Sequence, residues 1–127
     1  MAILLDTSVL IDIERGMRPL PEDEDFVIAT VTAAELLHGL MMATTAHRAR
    51  REAFVEHVFE SVPAIPFNLP IARTYARIWV EALRSGRSPG AHDLMVAATA
   101  LTLDVPLATL NRRDFVRIGG LRLWDKA

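Results

Sequence analysis

Residues 2–12 read AILLDTSVLID. Four apolar residues, the kind that fill a buried strand, run straight into Asp6; Thr7 and Ser8 follow, and then the apolar run resumes. A carboxylate at the end of a core strand is expensive unless something pairs with it. Asp6 therefore needs a partner, and the rest of the chain says what kind.

Working outward, "TSVLIDIERG" reads as a short helix with Thr7 near its N-cap and Gly16 near its end. "MRPLPEDED", with two prolines and an acidic run, is a loop, and "FVIAT" a second strand. In "TAAELLHGLMMA", Thr32 with Glu35 three residues on has the spacing of a capping box, so a helix is expected to start there. "HRARREAFVEHVFE" is another helix with Phe54, Val55, Val58 and Phe59 inward, and "VPAIPF" is a short strand between prolines. Over 69–85, Ile71, Tyr75, Ile78 and Ala82 line one helix face, and Arg73, Arg77, Glu81 and Arg84 the other. "GRSPGAH" breaks that helix, and "DLMVAATALTL" is apolar almost all round, as a helix buried on a sheet is. "VPLATL" is a strand, "NRRDF" a turn, and "LRLW" a last strand. Strands alternating with helices imply right-handed crossovers. The fold class expected is α/β: a three-layer α/β/α domain spanning 1–127, with a mainly parallel sheet of five strands.

Bulk composition narrows the class. The 127 residues suit one domain, and 51% hydrophobic with 24% charged residues is a globular balance. The absence of cysteine removes disulfides, thiolate metal sites and a Cys nucleophile, and suits a reducing compartment such as the cytoplasm. The short apolar start lacks a basic flank, so no signal peptide is expected, and no apolar run is long enough to cross a membrane. Net charge is −2, yet of the 14 basic residues all but Lys126 are arginine, the side chain that grips phosphate and carboxylate with a planar fork.

Parallel α/β sheets bind ligands beyond the carboxyl ends of their strands. Four carboxylates map there: Asp6 after the first strand, Glu35 in the helix after the second, Asp93 at the start of the buried helix, and Asp114 in the turn after the fourth strand. Singly, Glu35 and Asp114 read as helix-end charges. Together the four are uncomfortable, because two carboxylates ~4 Å apart repel by roughly 4 kcal/mol at an effective dielectric of ~20. An oxygen-only set of this kind suits Mg²⁺ or Mn²⁺. Asp6 ends its strand on a charge because that charge faces a cation.

"LLDTSVLID", "TAAELLHGL", "HDLMVAATAL" and "LATLNRRDF", in this order and spacing, resemble the motifs of the PIN domain, most closely those of the VapC toxins of toxin–antitoxin pairs. The resemblance covers essentially the whole chain. It implies an endoribonuclease dependent on one or two Mg²⁺ or Mn²⁺ ions, with Asp6, Glu35, Asp93 and Asp114 as both catalytic residues and metal ligands. Thr7 and Ser8, and Thr109 and Asn111, match the polar residues that brace those acids, Ser8 standing where many relatives have Asn. The resemblance also implies a homodimer and a small VapB-like antitoxin that blocks the site and alone carries the DNA contact. Hydrolysis by water leaves a 5′-phosphate and a 3′-hydroxyl. Single-stranded loops of tRNA or rRNA are the expected substrate, since their bases and backbone are accessible.

Other readings are weaker. Glu35 and His38 have the spacing of a di-iron helix, but no second copy of the pair exists. His92 reads as an exposed loop residue. A hydrolase triad lacks a G-x-S-x-G elbow. A haloacid dehalogenase-type phosphatase needs a second Asp where Ser8 stands, and a receiver domain needs a Lys on a late strand. A PIN-like binding module without nuclease activity is the alternative from another class, against which the intact acidic set argues. Arg112 and Arg113, beside Asp114, are candidates for gripping RNA, and His47, Arg48, Arg50 and Arg51 gather at a helix start where an outside anion would suit them.

Overall fold

The computed structural model describes residues 2–16, 22–87 and 89–125. Their elements run β1 (Ala2–Leu5), α1 (Thr7–Glu14), β2 (Asp25–Ala29), α2 (Thr30–Met41), α3 (Thr45–Ser61), β3 (Ala64–Ile65), α4 (Leu69–Arg84), α5 (Ala91–Leu103), β4 (Leu107–Ala108) and α6 (Arg112–Phe115). Of the expected loop from Met17, residues 17–21 lie outside the described residues, as do Met1, Ser88 of the expected break, and Lys126.

The strands pair in the order β3–β2–β1–β4, all parallel. β1 is central, which is why each of Ile3, Leu4 and Leu5 is fully buried. Successive side chains of a strand point to opposite faces. Leu4 accordingly joins the core of α4 and α5, with Ile71, Ile78, Leu94 and Ala97. Ile3 and Leu5 join Val9, Leu10, Leu36, Val55 and Val58 of α1, α2 and α3 on the other face. The sheet thus separates two helix layers, as the strand–helix alternation requires. Truncating any of the three to alanine would cost ~2–5 kcal/mol.

Three details differ from expectation. The fifth strand shrinks to a single parallel bridge between Leu107 and Leu123. β4 is only two residues long before Thr109 turns away toward Asp6, so there is one register position to pair with. Next, α2 starts at Thr30 directly from β2, with Ala29 as N-cap. Thr32 is therefore not a cap but a buried helical residue, and Glu35 sits in the second turn, not the first. The β-branched Thr30, expected to end the strand, instead opens α2. Finally, Asp6 and not Thr7 is the N-cap of α1, its carboxylate accepting from the Thr7 N–H. β3, held between Pro63 and Pro66, is the sheet edge, where proline is tolerated.

Candidate active site

The site is built at the carboxyl ends of β1 and β4. The Asp6 N–H continues the sheet, donating to the Ala108 carbonyl at 2.9 Å, and its carboxylate is only 5% exposed. Three donors meet it: Thr7 N–H on Oδ1 at 2.9 Å, and the Ser8 and Thr109 hydroxyls on Oδ2 at 3.0 and 2.7 Å. Hydrogen bonds to a charged acceptor are worth roughly 1.5–3 kcal/mol each. This is the pairing that the buried end of β1 requires. The same two hydroxyls accept from the turn after β4, Ser8 from Leu110 N–H and Thr109 from Asn111 N–H, both at 3.0 Å. Short hydroxyl side chains thereby lock the start of α1, the end of β4 and the carboxylate into one unit.

Glu35, half-buried on α2, accepts from the Thr7 hydroxyl on Oε1 at 2.8 Å. Its Oε2 lies 3.6 Å from His92 Nδ1, a charged contact when the imidazole is protonated. Asp93, half-buried in the first turn of α5, has its pKa pushed up to about 6. Burial is the main cause, followed by the charges of Asp6, Asp114 and Glu35, with His92 opposing them. All four acids therefore share one electrostatic field. Asp114, on α6, is exposed and lines a cleft together with Asp93.

Among the described residues no three His, Asp or Glu side chains form a closed metal cage. The donor set nonetheless fits Mg²⁺, which keeps much of its hydration and is commonly held by one or two carboxylates plus phosphate. Behind burial, the neighbouring carboxylates add to the lift in the Asp93 pKa, and that part is what a cation would relieve.

Of the remaining sequence candidates, Arg113 lines the same cleft, whereas Arg112 is exposed and outside that lining. Asn111 contributes its backbone N–H, and its side chain caps nothing. The basic cluster is partly spent inside the fold. Arg48 donates to the Met41 carbonyl at 3.0 Å, closing the end of α2, and Arg51 pairs with Glu14 at 3.2 Å. His92 is exposed, as expected, but it stands on α5 and not in a loop, with its Nδ1 toward Glu35.

The PIN domain family profile matches residues 3–121. The chain belongs to the PIN-domain family. This PIN domain is 34% identical to Ribonuclease VapC1 of Rickettsia felis, over 97% of this chain and 95% of the relative. It is 28% identical to the tRNA(fMet)-specific endonuclease VapC of Shigella flexneri, over 98% of each. Among solved structures, VapBC-5 of Mycobacterium tuberculosis, a member of the VapBC family of toxin–antitoxin systems, superposes with a TM-score of 0.78 at 33% identity. That match covers 96% of this chain and 98% of the other.

Proposed function

We infer that this PIN domain is a metal-dependent endoribonuclease and the toxin of a toxin–antitoxin pair, acting through Asp6, Glu35, Asp93 and Asp114. The observation that carries the reading is the meeting of four acids from four parts of the chain at one end of the sheet: Asp6 and Glu35 are joined through Thr7, and Asp93 and Asp114 line one cleft. The similarity to named VapC ribonucleases supports the same conclusion. The chain acts as one domain in the cytoplasm. Its partners are RNA, a second copy of itself, and a small antitoxin through which alone it meets DNA. None of the helices among the described residues is long and apolar enough to cross a membrane.

Asp6 and Asp93 are the main ligands of a Mg²⁺ or Mn²⁺ ion, with Glu35 and Asp114 completing the set around one ion or a second. The cation, when bound, offsets charge on the phosphate oxygens and lowers the pKa of water. Thr7, Ser8 and Thr109 fix the direction of the Asp6 carboxylate, so that no reorientation is needed when RNA arrives. Thr7 also holds Glu35 Oε1, so that Oε2, beside a neutral His92, is the oxygen that takes the proton of the attacking water. The water oxygen bonds to phosphorus, the P–O3′ bond breaks, and the leaving 3′-oxygen takes up a proton, giving a 5′-phosphate and a 3′-hydroxyl.

The test is cleavage of a total bacterial tRNA pool by the purified chain with Mn²⁺ or Mg²⁺, with EDTA, and with Asp93→Asn. Discrete fragments that need both metal and Asp93 are expected. Fragments ending in a 2′,3′-cyclic phosphate, or cutting that survives EDTA, would overturn the reading.

A further inference from the structure

Helix α4 ends in a glycine-capped turn. Ser85 is the C-cap, Gly86 follows at φ +72°, the Gly86 N–H donates to Leu83 O and the Arg87 N–H to Ala82 O, both at 3.0 Å. This is the paired-bond arrangement of a Schellman motif, and it fixes the backbone from which Arg87 extends. The Arg87 Nη2 then donates to the Arg117 carbonyl at 3.3 Å. It ties the end of α4 to the turn after α6, which Phe115 and Ile118 anchor in the core. Beside this link opens a cleft of about 520 Å³ whose lining includes Arg87, Gly90, Asp93, Arg113, Asp114 and Arg117.

Among the described residues, none of the three arginines pairs with a carboxylate. On a chain of net charge −2, three arginines lining one cleft beside two acids of the site are not an average surface, and the bond from Arg87 to the Arg117 carbonyl leaves the rest of the Arg87 fork free to donate. We propose that Arg87, Arg113 and Arg117 grip a backbone phosphate of the RNA strand next to the phosphodiester being cut, so that this cleft sets the strand's path away from the acids. The proposal rests on the ribonuclease reading above. A phosphodiester chain offers evenly spaced charges, one for the cation at the acids and the next for the arginine forks, which match phosphate with paired hydrogen bonds. An acidic peptide would instead lay its own carboxylates against Asp93 and Asp114.

The test is fluorescence anisotropy with a labelled 12-nucleotide single-stranded RNA of mixed sequence, in EDTA so that nothing is cut, from 50 to 300 mM salt. Neutralising one phosphate contributes about 0.7 to the slope of log affinity against log salt for single strands. Arg113→Gln/Arg117→Gln and Arg87→Gln are each expected to flatten the slope by about that amount and weaken binding roughly tenfold at low salt. Arg117→Lys keeps the charge and should keep the slope while losing affinity. Arg73→Gln, on the exposed face of α4, is the control that stays unchanged. Cleft variants with the wild-type slope overturn the proposal, as does a wild-type chain that does not bind the RNA. A ten-residue glutamate peptide that binds wild type but not the variants, while RNA binding is unmoved, assigns the cleft to a protein partner and also overturns it. Cleavage of the tRNA pool by the same preparations separates the two readings. Cutting with unmoved slopes sinks the cleft alone, whereas no cutting with flattened slopes sinks the nuclease and leaves an RNA-binding cleft.

Discussion

An aspartate whose ordinary pKa is 3.8 and whose native value is about 6 works against its own fold at neutral pH. Between those two values the native chain binds more protons than the unfolded chain, so stability falls as pH rises through the window and stays reduced above it. A shift of this size corresponds to ~3 kcal/mol, but solvent screens a half-exposed carboxylate, which leaves ~1 kcal/mol. Asp93→Asn, neutral at every pH, is therefore expected to unfold at higher urea than wild type in EDTA at pH 7.5, with the gap closing toward pH 4. Equal midpoints across that range would mean that neither burial nor the neighbouring acids lift the Asp93 carboxyl. Asp6 and Asp93 stood out in the sequence because Asp6 ends an apolar strand and Asp93 opens an apolar helix. Arg87 and Arg117 did not, since neither breaks a pattern and their turns meet through tertiary contacts, among them the bond from Arg87 to the Arg117 carbonyl. His92 is exposed as expected, though on α5 and not in a loop, and its contact with Glu35 was not legible because Glu35 stands on another helix.

Among the elements, α2 shows how local signals can agree on the wrong boundary. Thr32 and Glu35 have capping-box spacing, yet the helix begins two residues earlier, and Thr32 is fully buried within it. Its hydroxyl has no hydrogen-bond partner among the described residues. An unsatisfied buried hydroxyl costs roughly 1–3 kcal/mol, and an apolar group of the same shape removes that cost. Thr32→Val should therefore raise the unfolding free energy by about 1 kcal/mol with an unchanged denaturant slope. A loss of stability would show that a partner absent from this structure satisfies the hydroxyl. The longer elements were easier to read. The apolar stripe of α4 and the all-round apolar character of α5 follow from burial alone, whereas β3 and β4 are short enough that flanking proline and the pull of Thr109 on Asp6 decide their length.

Across the whole molecule, the parallel sheet gathers acids that are far apart in sequence. Asp6 follows β1, Glu35 stands on α2, Asp93 on α5 and Asp114 on α6, so the order of strands and helices turns all four toward one end of the sheet. On the proposed metal site, a cation would contribute to the fold's stability, because a ligand held by separate elements binds the native chain and not the unfolded one. At a hundred times its Kd such a ligand adds ~2.7 kcal/mol, roughly 10 °C in melting temperature for a chain of this size. Titrating Mn²⁺ into the wild-type chain after EDTA treatment should raise the melting temperature by about that much and saturate. Asp6→Asn should lose most of the rise, because it replaces a charge held in place by three hydrogen bonds at the centre of the set. An equal rise in that variant would move the cation elsewhere on the surface. No rise in wild type would mean that the four acids repel one another without a metal to justify it.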